Sequence, residues 1–113
     1  MQRETPLLLL AGLSIALALP VLSFCAKPQS SQAERDYKAS CVMCHSADGS
    51  GSSPAGKALK AKDLRSAEVQ SVSDAELTTA ITDGKGKMPA FGRKLTPDSI
   101  KGLVAYVRSL AKK

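Results

Sequence analysis

The residues of this chain best suited to chemistry by type and spacing are Cys41-Val42-Met43-Cys44-His45. Two cysteines two residues apart, followed at once by histidine, form the pattern of a c-type haem attachment site. Each thiol adds to one haem vinyl group, and the two-residue spacer lets both sulfurs reach neighbouring vinyls. The next residue then lies under the iron, where a neutral imidazole is a good axial ligand. A redox dithiol would sit beside a βαβ pattern, and none is found here. A structural zinc site asks for four Cys or His ligands. The chain holds three Cys and one His, and Cys25 lies in the leader.

The sixth ligand is expected from Gly84-Lys85-Gly86-Lys87-Met88-Pro89-Ala90-Phe91. Two glycines permit a tight loop before Met88, and Pro89 stiffens the backbone after it. A thioether sulfur is a soft, neutral ligand for haem iron, and a His/Met pair raises the reduction potential. A lone Met is elsewhere more often core filler. The competitors are few, however: Met1 lies in the leader and Met43 inside the attachment loop. With one His in the chain, an in-chain bis-His haem is excluded. Pro89 and Phe91 join the candidate haem-binding residues.

Short helices must position these groups. Ser31-Gln32-Ala33-Glu34 reads as a capping box opening a helix that runs through Ala39 into the motif. Ala33 and Tyr37 share one face with Cys41. Residues 46–73 are rich in Ser, Gly, Ala and Lys, and predict a long loop wrapped on the haem edge. Leu59, Leu64, Val69 and Val72 are its candidate contacts. The Pro54 carbonyl is a candidate acceptor for the second nitrogen of His45, against the plainer reading of a turn proline. Ser73-Asp74-Ala75-Glu76 is a second capping box, with Leu77, Ala80 and Ile81 as the stripe and Gly84 as an αL cap. Thr96-Pro97-Asp98 opens the last helix. Its stripe is Ile100, Leu103, Val104, Val107, Leu110 and Ala111, and Lys112 and Lys113 complement its negative end. Gly102 suggests close approach of another backbone, and Tyr106 is the natural crossing partner of Tyr37.

The chain has 113 residues, one small domain at most, with no Trp and 4% aromatics. A core this thin gives marginal stability, so a haem would supply missing apolar mass, and the apo-protein is expected to be largely disordered. Residues 7–19 (LLLLAGLSIALAL) match a signal-peptide core, so residues 1–25 are a cleaved leader or an N-terminal membrane anchor. A lipidated Cys25 is a further reading. Residues 26–31 form a tether and residues 32–113 the functional domain. Each reading places the domain in the periplasm or on the outer face of a bacterial membrane.

From Gln32 to Lys112 the chain resembles the small class I cytochrome c domains of bacteria, both photosynthetic-type carriers and domains attached to oxidases. The likeness rests on CVMCH, DGKGKMPAF and LTPDSIKGLVAYVRSL, in that order and spacing. It implies an all-α fold: three to four short helices around one haem c, with the N- and C-terminal helices crossing. The family often has Gly where this chain has Ala33, which implies a slightly wider crossing. By resemblance, Cys41 and Cys44 hold the haem covalently, with His45 proximal and Met88 distal.

The function expected is one-electron transfer between respiratory or photosynthetic partners, since a six-coordinate iron leaves no open site. The rival is a haem peroxidase or gas sensor with a labile Met88. The net charge is +6, and Arg3 and Glu4 of the leader cancel, so the domain itself is basic. Lys85, Lys87, Arg93 and Lys94, with Lys57, Lys60 and Lys62, predict a docking face for an acidic redox partner. No nucleic-acid motif is present, and a monomer is expected.

Overall fold

A computed structural model describes residues 29–112, and the predicted leader lies outside them. Among the described residues there are six helices and no strand: α1 Gln29–Ser40, α2 Val42–His45, α3 Pro54–Leu59, α4 Ala67–Gln70, α5 Asp74–Asp83 and α6 Pro97–Ser109. The all-α expectation holds, although the helices outnumber the three to four foreseen. The surplus comes from α3 and α4, inside the stretch expected to be a bare loop. Each is opened by a serine cap, Ser53 accepting from the Gly56 N–H and Ser66 from the Val69 N–H. Helices of six and four residues are too short to show an apolar period, so only their caps announce them.

α1 begins at Gln29, so Ser31 lies within the helix and is not its N-cap. The tether's last three residues are thus helical. The second capping box forms as expected, with both halves present between Ser73 and Glu76. Thr96 caps α6 through the Ser99 N–H, and Pro97 occupies the first turn, where its missing N–H costs nothing.

The core is small. Ala33 and Tyr37 of α1, Val69 of α4, and Ile100, Leu103, Val104 and Val107 of α6 are its buried hydrophobics. Burying a side chain of the Val, Leu or Ile class contributes about 1.5–3 kcal/mol. α1 packs on α6, as expected of the first and last helices. The Tyr37 and Tyr106 rings meet there, with centroids 4.9 Å apart and planes tilted by 44°. Gly102 is buried within α6. Val69, expected in a loop wrapped on the haem edge, lies instead on α4 and is buried in this core.

α6 ends at Ser109, which leaves Ala111 exposed beyond it. The basic group in its last turn is Arg108; Lys112 lies beyond the helix, and Lys113 lies outside the described residues. The Arg108 guanidinium donates to the carbonyls of Val69 (3.5 Å), Gln70 (2.8 Å) and Val72, and to Asp74 (2.9 Å). One side chain thus closes the C-terminal end of α4 and ties it to the start of α5. Lys112 instead donates its backbone N–H to Arg65 and sets its amine 3.7 Å from Asp63.

Candidate haem site

The attachment motif is a turn whose backbone is fully used. Cys41 accepts from the N–H groups of Cys44 and His45, and Val42 accepts from Ser46. The Ser53 hydroxyl donates to Met43 (2.7 Å) and lies 3.3 Å from the Cys44 carbonyl. His45 accepts from the Gly51 N–H, and the Tyr37 hydroxyl donates to Ser46 at 2.7 Å. The carbonyls of Cys41, Val42, Met43, His45 and Ser46 therefore have protein donors, with Cys44 sharing the Ser53 hydroxyl, which defines the shape of the turn. Gly56 brings α3 onto this turn. A Cβ there would lie 2.1 Å from the Cys44 carbonyl oxygen.

Cys41 and Cys44 are free thiols on the same turn. Burial pushes the Cys41 thiol up to about 11, and the charges of Asp36 and Cys44 add to the rise. Burial also raises the Tyr37 hydroxyl well above the ordinary tyrosine range. Both groups stay protonated at neutral pH.

His45 Nδ1 lies 3.1 Å from the Lys62 carbonyl oxygen. A carbonyl can only accept, so Nδ1 carries the proton and Nε2 keeps its lone pair for a metal. The expected acceptor, Pro54, is the first residue of α3 and does not take this bond. Sequence reading missed Lys62 because a backbone acceptor leaves no side-chain signature. Only the two glycines nearby hint at it: at Gly51, φ +69, a Cβ would meet the Ala61 carbonyl oxygen at 2.8 Å.

Met88 is presented by a tight turn. Lys85 and Met88 exchange backbone hydrogen bonds of 3.1 and 3.0 Å, with Gly86 at φ +58 between them. Lys87 keeps a negative φ, the arrangement of a type II′ turn with Gly at its first central position. The loop returns along the end of α5, where Phe91 donates to Ile81 (2.9 Å) and Gly92 to Thr82 (3.0 Å). These bonds use carbonyls that a helix end leaves free. Gly84 is not the expected αL cap: its φ of +79 comes with an extended ψ of 166°. The chain must turn sharply there, since a Cβ would lie 2.6 Å from the Met88 carbonyl oxygen.

The remaining candidates surround this frame. Leu64, Met88 and Phe91 are half-buried, while Pro54, Leu59 and Pro89 are exposed. α5 buries no residue at all, although Leu77, Ala80 and Ile81 form its apolar stripe. Met43 is 77% exposed. Apolar side chains on α5, α3 and the Met88 loop are thus at most half-covered by protein, and the two thiols and the imidazole share a turn next to α3.

Residues 28–107 match the family described as cytochrome c oxidase, cbb3-type, subunit III. The cytochrome c6 of Gloeothece citriformis is 41% identical over 78 residues, covering 68% of this chain and 67% of its own. That of Porphyra purpurea is 38% identical over 80 residues, covering 71% and 70%. Among solved structures, the KustC0563 c-type cytochrome is similar with a TM-score of 0.66 and 34% identity, covering 71% of this chain and 98% of that one.

The chain belongs to this family, as a small class I cytochrome c.

As such the cytochrome is an electron carrier and not an enzyme. The family implies a covalently bound haem c, and the residues present fit one. They supply two thiols at the required spacing, an imidazole of the correct tautomer, and an apolar surface that a flat macrocycle would cover.

Proposed function

We propose that this cytochrome moves one electron at a time on a single haem c, attached through Cys41 and Cys44 and ligated by His45 and Met88. The observation that carries the reading is the His45 tautomer, whose Nδ1–H is engaged by Lys62 while Nε2 stays free. Haem supplies the ferric–ferrous couple, and the chain's own residues do the rest. The Lys62 carbonyl raises imidazole basicity, and a thioether opposite it would favour the ferrous state. The tied ends of the Met88 loop hold that sulfur's backbone in place, so little rearrangement accompanies electron transfer. Pro54, Leu59, Leu64, Pro89 and Phe91 are proposed as apolar walls.

Lys85, Lys87, Arg93 and Lys94 are exposed, and none is in an ion pair among the described residues. Lys57 on α3 and Lys60 just after it are likewise in no ion pair among the described residues. Lys62 differs, because its amine pairs with Glu68 at 2.6 Å. These free cations around the Met88 loop and α3 fit an acidic redox partner. No helix among the described residues is long and apolar enough to cross a membrane. The apolar run at 7–19 and the c-type motif favour export to the periplasm or the outer membrane face, with the domain acting as a monomer.

The test is the visible spectrum of the exported protein, oxidised and reduced. His/Met ligation predicts a low-spin reduced form and a weak sulfur-to-iron charge-transfer band that Met88→Ala removes. A high-spin spectrum that shifts at once with CO would overturn the reading. The docking face predicts electron-transfer rates with an acidic partner that fall as salt rises.

A further inference from the structure

His45 depends on a carbonyl whose own position needs explaining. The Lys62 carbonyl is one end of the peptide unit whose other end is the Asp63 nitrogen. Asp63 is gripped by Arg65: its Oδ1 accepts from the Arg65 backbone N–H and from Nε, both at 2.9 Å. Its Oδ2 accepts from the same guanidinium at 3.0 Å. The remaining arm of Arg65 reaches Asp48 Oδ2 at 3.2 Å. Asp48 sits in the turn that leaves His45. Arg65 therefore spans the two segments whose separation decides the His45–Lys62 distance. A backbone bond from Leu64 to Gly49, 2.8 Å, runs parallel to it.

Arg65 is 27% exposed and Asp63 29%. A forked, partly buried guanidinium pair is geometrically stiffer than an ordinary surface ion pair. The Lys62 amine pairs with Glu68 at 2.6 Å, but both side chains are exposed, so this pair adds little to the bracing of the Lys62 peptide.

We propose that Arg65 is a positioning residue for His45: by bracing Asp63 against Asp48 it holds the Lys62 carbonyl on the imidazole and thereby lowers the haem's reduction potential. The inference rests on the His/Met haem reading above. A firm N–H···O=C bond makes the imidazole a better donor, which stabilises ferric iron more than ferrous. Loosening the brace weakens that donor and raises the potential. Electrostatics alone gives the opposite sign. Removing the guanidinium leaves two carboxylates unmatched, and added negative charge favours the ferric state.

The experiment uses the haem-loaded protein and two variants, Arg65→Gln and Arg65→Lys. The midpoint potential is read by spectroelectrochemistry, and exchange of the His45 Nδ1–H by NMR of the ferrous form. Failure of the haem reading would show beforehand, as a wild-type spectrum that is not low-spin. The proposal expects the potential of Arg65→Gln to rise and its ring proton to exchange about tenfold faster, the size of one lost hydrogen bond. A potential that falls, or an exchange rate that does not change, overturns it. Should Arg65→Gln fail to mature, the same two readings on Arg65→Lys decide. Lysine keeps the charge but cannot make the fork, so a rise there cannot come from lost charge.

Discussion

The Tyr37 hydroxyl donates to the Ser46 carbonyl at 2.7 Å, across nine residues and the whole attachment motif. Tyr37 is only 1% exposed. Ser46 needs the help, because its φ of +65 and ψ of 163° lie in a region that suits glycine. Such a residue stores about 1–3 kcal/mol of strain, offset by its surroundings. Here the offset comes from Tyr37 on its carbonyl and from its own hydroxyl, which accepts from the Ser53 N–H at 2.9 Å.

Tyr37→Phe keeps the ring packing and removes one bond. It should cost about 1 kcal/mol, a modest loss because Ser46 still accepts from the Gly49 N–H. Thermal unfolding of the haem-loaded protein measures it. The hydroxyl is also held protonated, so its folded pKa lies above the unfolded value. That contribution is complete below about pH 10 and fades above it, where only the unfolded chain ionises. Tyr37→Phe should therefore flatten the alkaline loss of stability, and a wild-type slope in the variant would refute the assignment.

Two glycines predict opposite tolerance. At Gly56 a new Cβ would lie 2.1 Å from the Cys44 carbonyl oxygen and 2.5 Å from that of Gly51, so backbone must move. Gly56→Ala should displace the attachment turn, cost about 3 kcal/mol or more, and reduce the yield of haem-loaded protein. At Gly86 nothing lies within 4 Å of the added carbon. Gly86→Ala should cost only the positive φ, about 1–2 kcal/mol, and leave the yield intact. Haem staining of exported protein compares the two directly.

Acid sensitivity should trace to Asp63. Its hydrogen bonds from Arg65 hold the carboxyl well below the usual carboxylate range, with Lys112 adding to the effect. The folded pKa is depressed, so this stabilisation is present above about pH 4 and lost as pH falls toward the folded value. Asp63→Asn should be less stable than wild type at pH 7 and converge with it in acid. Parallel stability curves down to the lowest attainable pH would assign the acid loss elsewhere.

How much of this was legible in sequence depends on where the information resides. The Tyr37–Tyr106 pair, far apart in the chain, followed only from the expected crossing of the first and last helices. CVMCH, the Ser73–Glu76 box and the Thr96-Pro97 start, by contrast, are written in side-chain types at short spacing. Each was readable from a few neighbours. The His45 partner was not, since a carbonyl belongs to every residue and the fold alone chooses Lys62 over Pro54. Nor was the Arg108 closure of α4, because the lysines nearest the chain end carry the same charge pattern. α3 and α4 escaped because one or two turns cannot display a period, although Ser53-Pro54 was a cap followed by proline.

The Met88 loop yields the last prediction. Its two ends are tied to α5 through Gly84 and Gly92, and both approach closely. At Gly92 a Cβ would meet the Thr82 methyl at 2.8 Å and the Thr82 carbonyl oxygen at 3.0 Å. The bond from Gly92 to Thr82 would lengthen, and the loop would lift from the helix end while α6 and the core stayed in place. Gly92→Ala should therefore weaken sulfur ligation more than it weakens the fold. The sulfur-to-iron charge-transfer band should fade at a lower temperature than the helical circular dichroism, by several degrees for each kcal/mol lost at the loop. In wild type the two signals should vanish closer together. If they stay equally close in Gly92→Ala, loop and helices melt as one unit and the α5 ties do not govern Met88.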